Sequence, residues 1–380
     1  MKRRSIIAIA LVAVMVFALA GCGKTNDAGS TPPPADAGSA EATAPEAPDT
    51  PADTGGEKLK IAYFGGGMQA TWLQNILKAM NELGEENGFE VINTDAEWDG
   101  DKMLSQIDTL IDQGIDGATM FLTDESLGPA VAERLNAAGV PFAFETMAVK
   151  NADGKYAAPG VLSDVIGMGR IPAEWTIEHI TDLGFDPTDW SKTGLMLGTN
   201  SIFPPTDDRA VEYRRVFLEK YPDFPAANIV VNDVAADPNR PDDTEGSFNQ
   251  AMANFTANPQ IEKWLVYASV DDYAVGIARA IEANNLQSTA KMISCGGERA
   301  MPEWIADPSV NEYWVAELYF NALMYAEYVV EALMEMINEG KAPEDVLVDY
   351  KAPGEDYGVA MIIGTMVTPE DYEEIYVPGY

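Results

Sequence analysis

Two hydrophobic periods alternate along most of this chain, and the change from one to the other is clearest between residues 263 and 283. Trp264-Leu-Val-Tyr-Ala268 is an unbroken apolar run, as in a parallel strand covered on both faces. Ala274, Ile277, Ala278 and Ile281 then recur at helical spacing, and Asp271 and Asp272 stand at the change. The carboxyl end of a strand passing into a helix is where open α/β sheets place ligands. An Asp there equally caps free helix N–H groups. With two acids, one can cap while the other faces a cleft.

The same alternation begins at Leu59. Residues 59–64 read as a strand, Gly65-Gly66-Gly67 as a turn, and Trp72, Leu73, Ile76, Leu77 and Met80 as a helix. The glycines form neither a G-x-G-x-x-G nor a Walker motif, so a tight turn with close backbone approach is the better reading. Strands at 89–93, 117–122 and 140–144 alternate with helices at 100–113 and 128–138, and Asp124 reads as a cap. After a turn-rich stretch at 151–160 the pattern starts again. Strands are expected at 161–164, 193–197, 228–231, 264–268 and 292–295, with helices at 171–183, 209–220, 247–257 and from 274 onward. A strand at 313–318, a helix at 320–339, a strand at 360–364 and a capped turn from Thr368 complete the chain. Such alternation implies parallel strands joined by right-handed crossovers, and therefore an α/β protein with two doubly wound units.

The beginning changes the picture of where the protein works. Lys2-Arg3-Arg4, an apolar run over 6–20 and Leu19-Ala20-Gly21-Cys22 read as a signal segment at 1–21. Leu-Ala-Gly-Cys resembles the bacterial lipobox, which implies cleavage before Cys22 and a lipid on its sulfur, anchoring without spanning the membrane. Residues 22–57, rich in Ala, Pro, Thr, Gly and acids, read as a flexible tether. The expected location is extracytoplasmic, lipid-anchored to the cell membrane. With 380 residues and 47% hydrophobic content, the remainder suffices for two domains.

Cys22 and Cys295 are the two cysteines, so a lipidated Cys22 leaves no disulfide, and Cys295 at a strand end reads as a small buried residue. One histidine, His179, argues against a histidine-ligated zinc or a His-based triad. With 61 acids against 24 bases, the formal charge of −37 repels phosphates, which excludes nucleic acid as a partner. The acidic loop at 237–245 is interrupted by prolines and lacks the EF-hand glycine, so no metal is expected there. No cofactor is expected either.

The order of elements, with Leu59-Lys-Ile-Ala and Trp72 downstream, Gly88-Phe-Glu-Val-Ile92, Asn258-Pro-Gln-Ile-Glu-Lys-Trp-Leu265, the Asp271-Asp272 turn with Gly276, and Thr368-Pro-Glu-Asp-Tyr-Glu-Glu374, resembles the sugar-binding proteins of bacterial ABC importers over residues 59–376. The resemblance implies a type I periplasmic binding protein fold, with two lobes joined by three hinge crossings and a ligand held between them. The lobes would be 58–160 plus 298–340 and 161–297 plus 341–380. It also implies a stacking role for Trp72, a forked donor at Arg209, and polar contacts at Glu145, Asp271 and Asp272. Gln69 stands nearest to two polar positions of the arabinose-binding proteins that are Gly66 and Ala70 here, and Glu298 follows Gly296, where those proteins have an asparagine. Asp164 adds one more acceptor, and the acid-rich set suits a neutral polyhydroxylated ligand or one with an amine. The expected function is capture of a sugar-like solute by a monomeric, membrane-tethered protein for an ABC permease, without catalysis. Two alternatives remain at this point: presentation of the solute to a membrane receptor kinase, and a secreted glycosidase using Glu145 and Asp271.

Overall fold

The computed structural model describes residues 58–240 and 242–380; the expected signal segment, Cys22 and the tether lie outside the described residues. In the first lobe, β1 (Leu59–Gly65), α1 (Thr71–Asn87), β2 (Phe89–Asp95), α2 (Gly100–Asp112), β3 (Gly117–Met120), α3 (Gly128–Ala138), β4 (Phe142–Thr146) and β5 (Gly160–Ser163) follow in order. The second lobe opens with α4 (Val165–His179), β6 (Thr193–Thr199), α5 (Pro204–Lys220), β7 (Ile229–Asp233) and α6 (Asp243–Ala257). It continues with β8 (Lys263–Ala268), α7 (Asp271–Ala283), β9 (Ala290–Gly296), α8 (Ala300–Ala306) and β10 (Trp314–Tyr319). The chain returns to the first lobe for α9 (Ala322–Asn338) and β11 (Val359–Ile362), then crosses back for β12 (Thr365–Val367).

The two six-stranded sheets have the spatial orders β11-β5-β4-β3-β1-β2 and β12-β10-β9-β8-β6-β7. Their strands pair in parallel, except that β12 runs antiparallel to β10. The architecture is thus α/β with two doubly wound lobes. Each sheet is covered on both faces, which is why its central strands are largely apolar. In the first lobe Ile61 and Tyr63 pack with α1 and α9, and Phe64, Met120 and Phe144 pack with α2 and α3. In the second, Val266 and Met292 meet α6 and α7, while Leu265, Tyr267 and Ile293 meet α4 and α5.

Among the described residues the chain passes between the sheets at three places, 163–165, 319–322 and 362–365. The sequence-based division at 160/161, 297/298 and 340/341 is corrected accordingly. Residues 298–319 stay in the second lobe because β10 continues beside β9, with Glu317 opposite Ser294 and the Trp314 indole donating to Ser294 Oγ (2.6 Å). The single strand expected at 360–364 is two strands in different sheets. Gly364 lies between them, where an added Cβ would stand 2.9 Å from Tyr319 O, so only glycine lets the chain pass. Two of the crossings run directly into capped helices. Asp164 accepts from Gly167 N (2.8 Å) at the start of α4, and Asn321 accepts from Met324 N (3.1 Å) at the start of α9.

Helix α4 begins at Val165 rather than at 171, and Pro172 lies inside it. Gly167, Gly169 and Pro172 read locally as breakers, but tertiary packing overrides them. An added Cβ on Gly169 would lie 2.3 Å from Arg209 O, so the glycine is what lets α4 press against α5. Beyond β12, Tyr372 packs on Trp304 at 5.7 Å and Tyr376 on Tyr319 at 6.0 Å. Val377 N donates to the Tyr319 hydroxyl (2.9 Å). The chain then reaches α1, where Lys78 Nζ lies 4.2 Å above the Tyr380 ring and the Tyr380 hydroxyl donates to Glu82.

Helices α6 and α7 approach closely at Gly276, where an added Cβ would stand 2.3 Å from Thr244 O. Gly276→Ala is therefore expected to cost about 1–3 kcal/mol through overpacking. Urea denaturation checks this, as a lower midpoint at unchanged slope.

Candidate ligand site between the lobes

Side chains from both lobes converge where the carboxyl ends of the strands face each other. On the first lobe, Glu145 is the last residue but one of β4 and is buried. Its Oε1 accepts from the Tyr63 hydroxyl (3.1 Å), while Oε2 is buried with no hydrogen-bond partner. Burial is the main influence on this carboxyl and pushes it up to about 7, against the opposing hydrogen bonds from Thr146 and Tyr63. Thr146 itself has φ 58°, a left-handed conformation that is costly for a β-branched residue. In that conformation its Oγ1 accepts from Trp72 Nε1 (3.2 Å).

Trp72, half-buried in the first turns of α1, meets Tyr325 at 4.9 Å and Phe320 at 5.7 Å, each ring nearly perpendicular to its own. Phe320 lies in the crossing between β10 and α9, and the Arg209 guanidinium lies 5.7 Å from its ring centroid. Arg209 is buried. Its Nη1 donates to Ser269 O (3.0 Å) and approaches Cys295 Sγ (3.8 Å), whereas Nε has no partner. No ion pair joins it to Asp207 or Asp208 among the described residues, and Asp207 instead accepts from Thr199 Oγ1 (2.9 Å). A buried guanidinium without a carboxylate partner carries a large desolvation cost, and other acceptors must offset it.

Asp271 and Asp272 separate into different roles. Asp271 turns inward: Oδ2 accepts from Gly297 N (2.7 Å) and Arg299 N (2.8 Å). Asp272 is half-buried and pairs with Arg299 (3.3 Å); burial and the like charge of Asp271 raise its pKa against the pull of Arg299. Glu298 reaches the other lobe, accepting from Asn75 Nδ2 of α1 (2.7 Å). Burial pushes its carboxyl up to about 7, with Asn75 opposing.

These contacts form a ring from Trp72 through Phe320 and Arg209 to Cys295 of β9, and from Glu298 in the loop that follows β9 back to Asn75, one helical turn from Trp72 on the same face of α1. The ring brings together Trp72, Arg209 and Glu298, with Glu145 attached through Thr146 and with Asp271 and Asp272 attached through the loop backbone and Arg299. Gln69 is exposed in the loop after β1, and Asp164 is occupied as the cap of α4; neither joins the ring. Phe203, from the second lobe, packs against Leu73, Phe121 and Met147 of the first. Asn75, Phe203 and Phe320 were not singled out from sequence. Asn75 alone carried a signal, its spacing from Trp72; the other two are apolar residues in loops whose partners are remote. Cys295 is buried and burial pushes its thiol up to about 11. His179 stacks on Trp175 at 4.3 Å on the outside of α4. Among the described residues no cluster of three or more His, Cys, Asp or Glu is arranged to hold a metal ion.

A family model for the periplasmic binding protein domain matches residues 61–342. The chain belongs to the periplasmic binding protein family. This binding protein is 24% identical over 291 residues to the ABC transporter L-arabinose-binding periplasmic protein of Azospirillum brasilense, covering 75% of this chain and 83% of that one. Its fold matches an ABC transporter solute binding protein from Bacillus halodurans C-125 with bound myo-inositol, at TM-score 0.63 and 17% identity over 83% of this chain and 96% of that one. It also matches a periplasmic solute binding protein from Actinobacillus succinogenes 130z with bound D-allose, at TM-score 0.63 and 15% identity over 83% and 100% of the two chains.

Because the folded-state pKa of Glu145 lies above its ordinary value, the binding protein holds this proton more tightly folded than unfolded. Its contribution is present below about pH 4.5 and is lost as pH rises through about 7. Glu145→Gln is expected to flatten that part of the stability profile, which urea denaturation at a series of pH values measures.

Proposed function

We propose that this protein captures a neutral polyhydroxylated solute, a sugar or cyclic polyol, between its lobes and delivers it to the permease of an ABC importer, held at the membrane through a lipid on Cys22. The observation that carries the reading is the pairing of unlike unmet needs in a buried place. Arg209 Nε is a donor without an acceptor and Glu145 Oε2 an acceptor without a donor, and the environment of Tyr325 includes both side chains. A hydroxyl both donates and accepts, so adjacent hydroxyls of one ring can satisfy both atoms. Thr119 Oγ1 and Ser269 Oγ, also buried and unpartnered, add sites of the same kind. The half-buried indole of Trp72 supplies an apolar face for ring C–H groups. Asp272 and Glu298 border the same region.

A transport role is supported by kinship rather than by geometry. The relatives named above are binding proteins of ABC transporters. The acidic surface fits a partner whose docking face is basic.

A thermal-shift screen of the chain from Gly23 onward against pentoses, hexoses and cyclic polyols tests the solute class, since a ligand at one hundred times its Kd stabilises by about 2.7 kcal/mol. A shift confined to nucleosides or amino acids would overturn it. Trp72→Ala is expected to weaken binding of the solute found by about 1–3 kcal/mol with the fold intact. Arg209→Lys is expected to weaken it as well, because a point charge cannot replace the fork; isothermal titration calorimetry reads both.

A further inference from the structure

The loop after β9 holds Glu298 against Asn75 of the other lobe, and it is organised around one buried carboxyl. Gly296 and Gly297 have φ of 150° and 133°, conformations open to glycine. A Cβ on Gly296 would lie 2.7 Å from Asp271 Cγ. The loop backbone thus wraps the Asp271 carboxyl, and its N–H groups at 297 and 299 both point at Oδ2.

Asp271 Oδ1 is buried and has no hydrogen-bond donor. The same is true of Oε1 of Glu317 on β10, a residue with no exposed surface. The other oxygen of Glu317 accepts from the Ser294 hydroxyl, which itself accepts from the Trp314 indole. Each carboxyl bears on the titration of the other, as close neighbours do. Two ionised carboxyls have only acceptors to offer, and like charges this close and this dry repel strongly. One proton between them turns the clash into a charge-assisted hydrogen bond.

We propose that Asp271 and Glu317 share one proton as a carboxylate and a neutral acid, and that this pair is a positioning device that fixes the loop at residues 296–299. Asp271 already takes two backbone N–H groups and is the better anion. Glu317 receives a single hydroxyl, carries the proton, and donates to Asp271 Oδ1. Around the pair stand Arg299, Asp272 and Glu298 on the Asp271 side, Tyr376 beside it, and Cys295 and Tyr267 near Glu317. Burial and the Asp271 charge hold Glu317 well above the ordinary range, which supports the same assignment. Asp271 is then an organiser of the loop, and Asp272 and Glu298 are the acids it presents. The proposed role in ligand capture rests on the sugar-site reading; the shared proton does not.

The test needs no ligand for its first part. Infrared spectra of the intact protein at pH 9, where Glu145 and Glu298 are ionised, are expected to show the C=O stretch of a protonated carboxylic acid, and E317Q is expected to lack it. An amide at 317 can still donate to Asp271, so E317Q is expected to fold. Its urea midpoint should fall less than that of the wild type as pH rises above the ordinary glutamate value, because a proton held more tightly in the folded state makes stability decline with pH. No such band in the wild type, or equal pH slopes in the two proteins, would overturn the shared proton. In the second part, D-allose and myo-inositol serve as probes in calorimetry. If either binds, wild-type affinity should fall at least tenfold between pH 7 and the pH at which the band disappears, while E317Q stays within threefold. Equal losses in both proteins would overturn the positioning role while leaving the pair intact. Absence of binding by every sugar tried would count against the solute assignment and not against the shared proton.

Discussion

The buried charge of Arg209 is the constraint around which the second lobe is arranged. A guanidinium out of water needs acceptors, and the protein supplies a single backbone carbonyl, a thiol and the face of a ring. The ring belongs to Phe320, which lies in a crossing rather than in either lobe, so the charge sits where the two lobes share a wall. The helix that carries Arg209 is seated by Gly169, whose missing side chain is occupied by the carbonyl of Arg209 itself. Tyr213, Phe217 and Tyr267 pack in the core between α4, α5 and the sheet.

Acids outnumber bases across the molecule, but those at the site do not behave as a surface field. Glu145, Glu298 and the Asp271 and Glu317 pair are all shifted toward neutrality by burial. A buried acid that keeps its proton can donate as well as accept, which matches hydroxyl groups better than it matches a cation. The strained backbone at Thr146 belongs to the same economy of placement: its hydroxyl meets the Trp72 indole.

Much of the fold was legible in the sequence because period and burial are local signals. The unbroken run at 264–268 and the helical spacing after Asp272 read directly as strand and helix, and the order of such segments implied two doubly wound lobes. The exchanges between lobes were less legible. Trp314-Val-Ala-Glu-Leu318 was recognisable as a strand, yet nothing within it says which sheet it joins; that depends on Ser294 and on β12, contacts made at a distance. The same holds for the site. The turn at Asp271 and Asp272 could be found, but the division of labour between them depends on Glu317, an acid in an otherwise apolar strand whose partner lies across the sheet. Gln69 and Asp164 were named for their polarity and their nearness in the chain to the expected ligand loops, and neither property fixes where a side chain points.

The contact of Gly379 and Tyr380 with α1 makes the linkage between the lobes a closed kinematic loop. Three covalent crossings at one edge leave the lobes a single easy rotation, like a door on its hinges. A further attachment, made of an aromatic ring under a lysine, joins the end of the chain to α1. It limits the angle available without breaking contact, and an excursion beyond that angle must expose the Tyr380 ring to water.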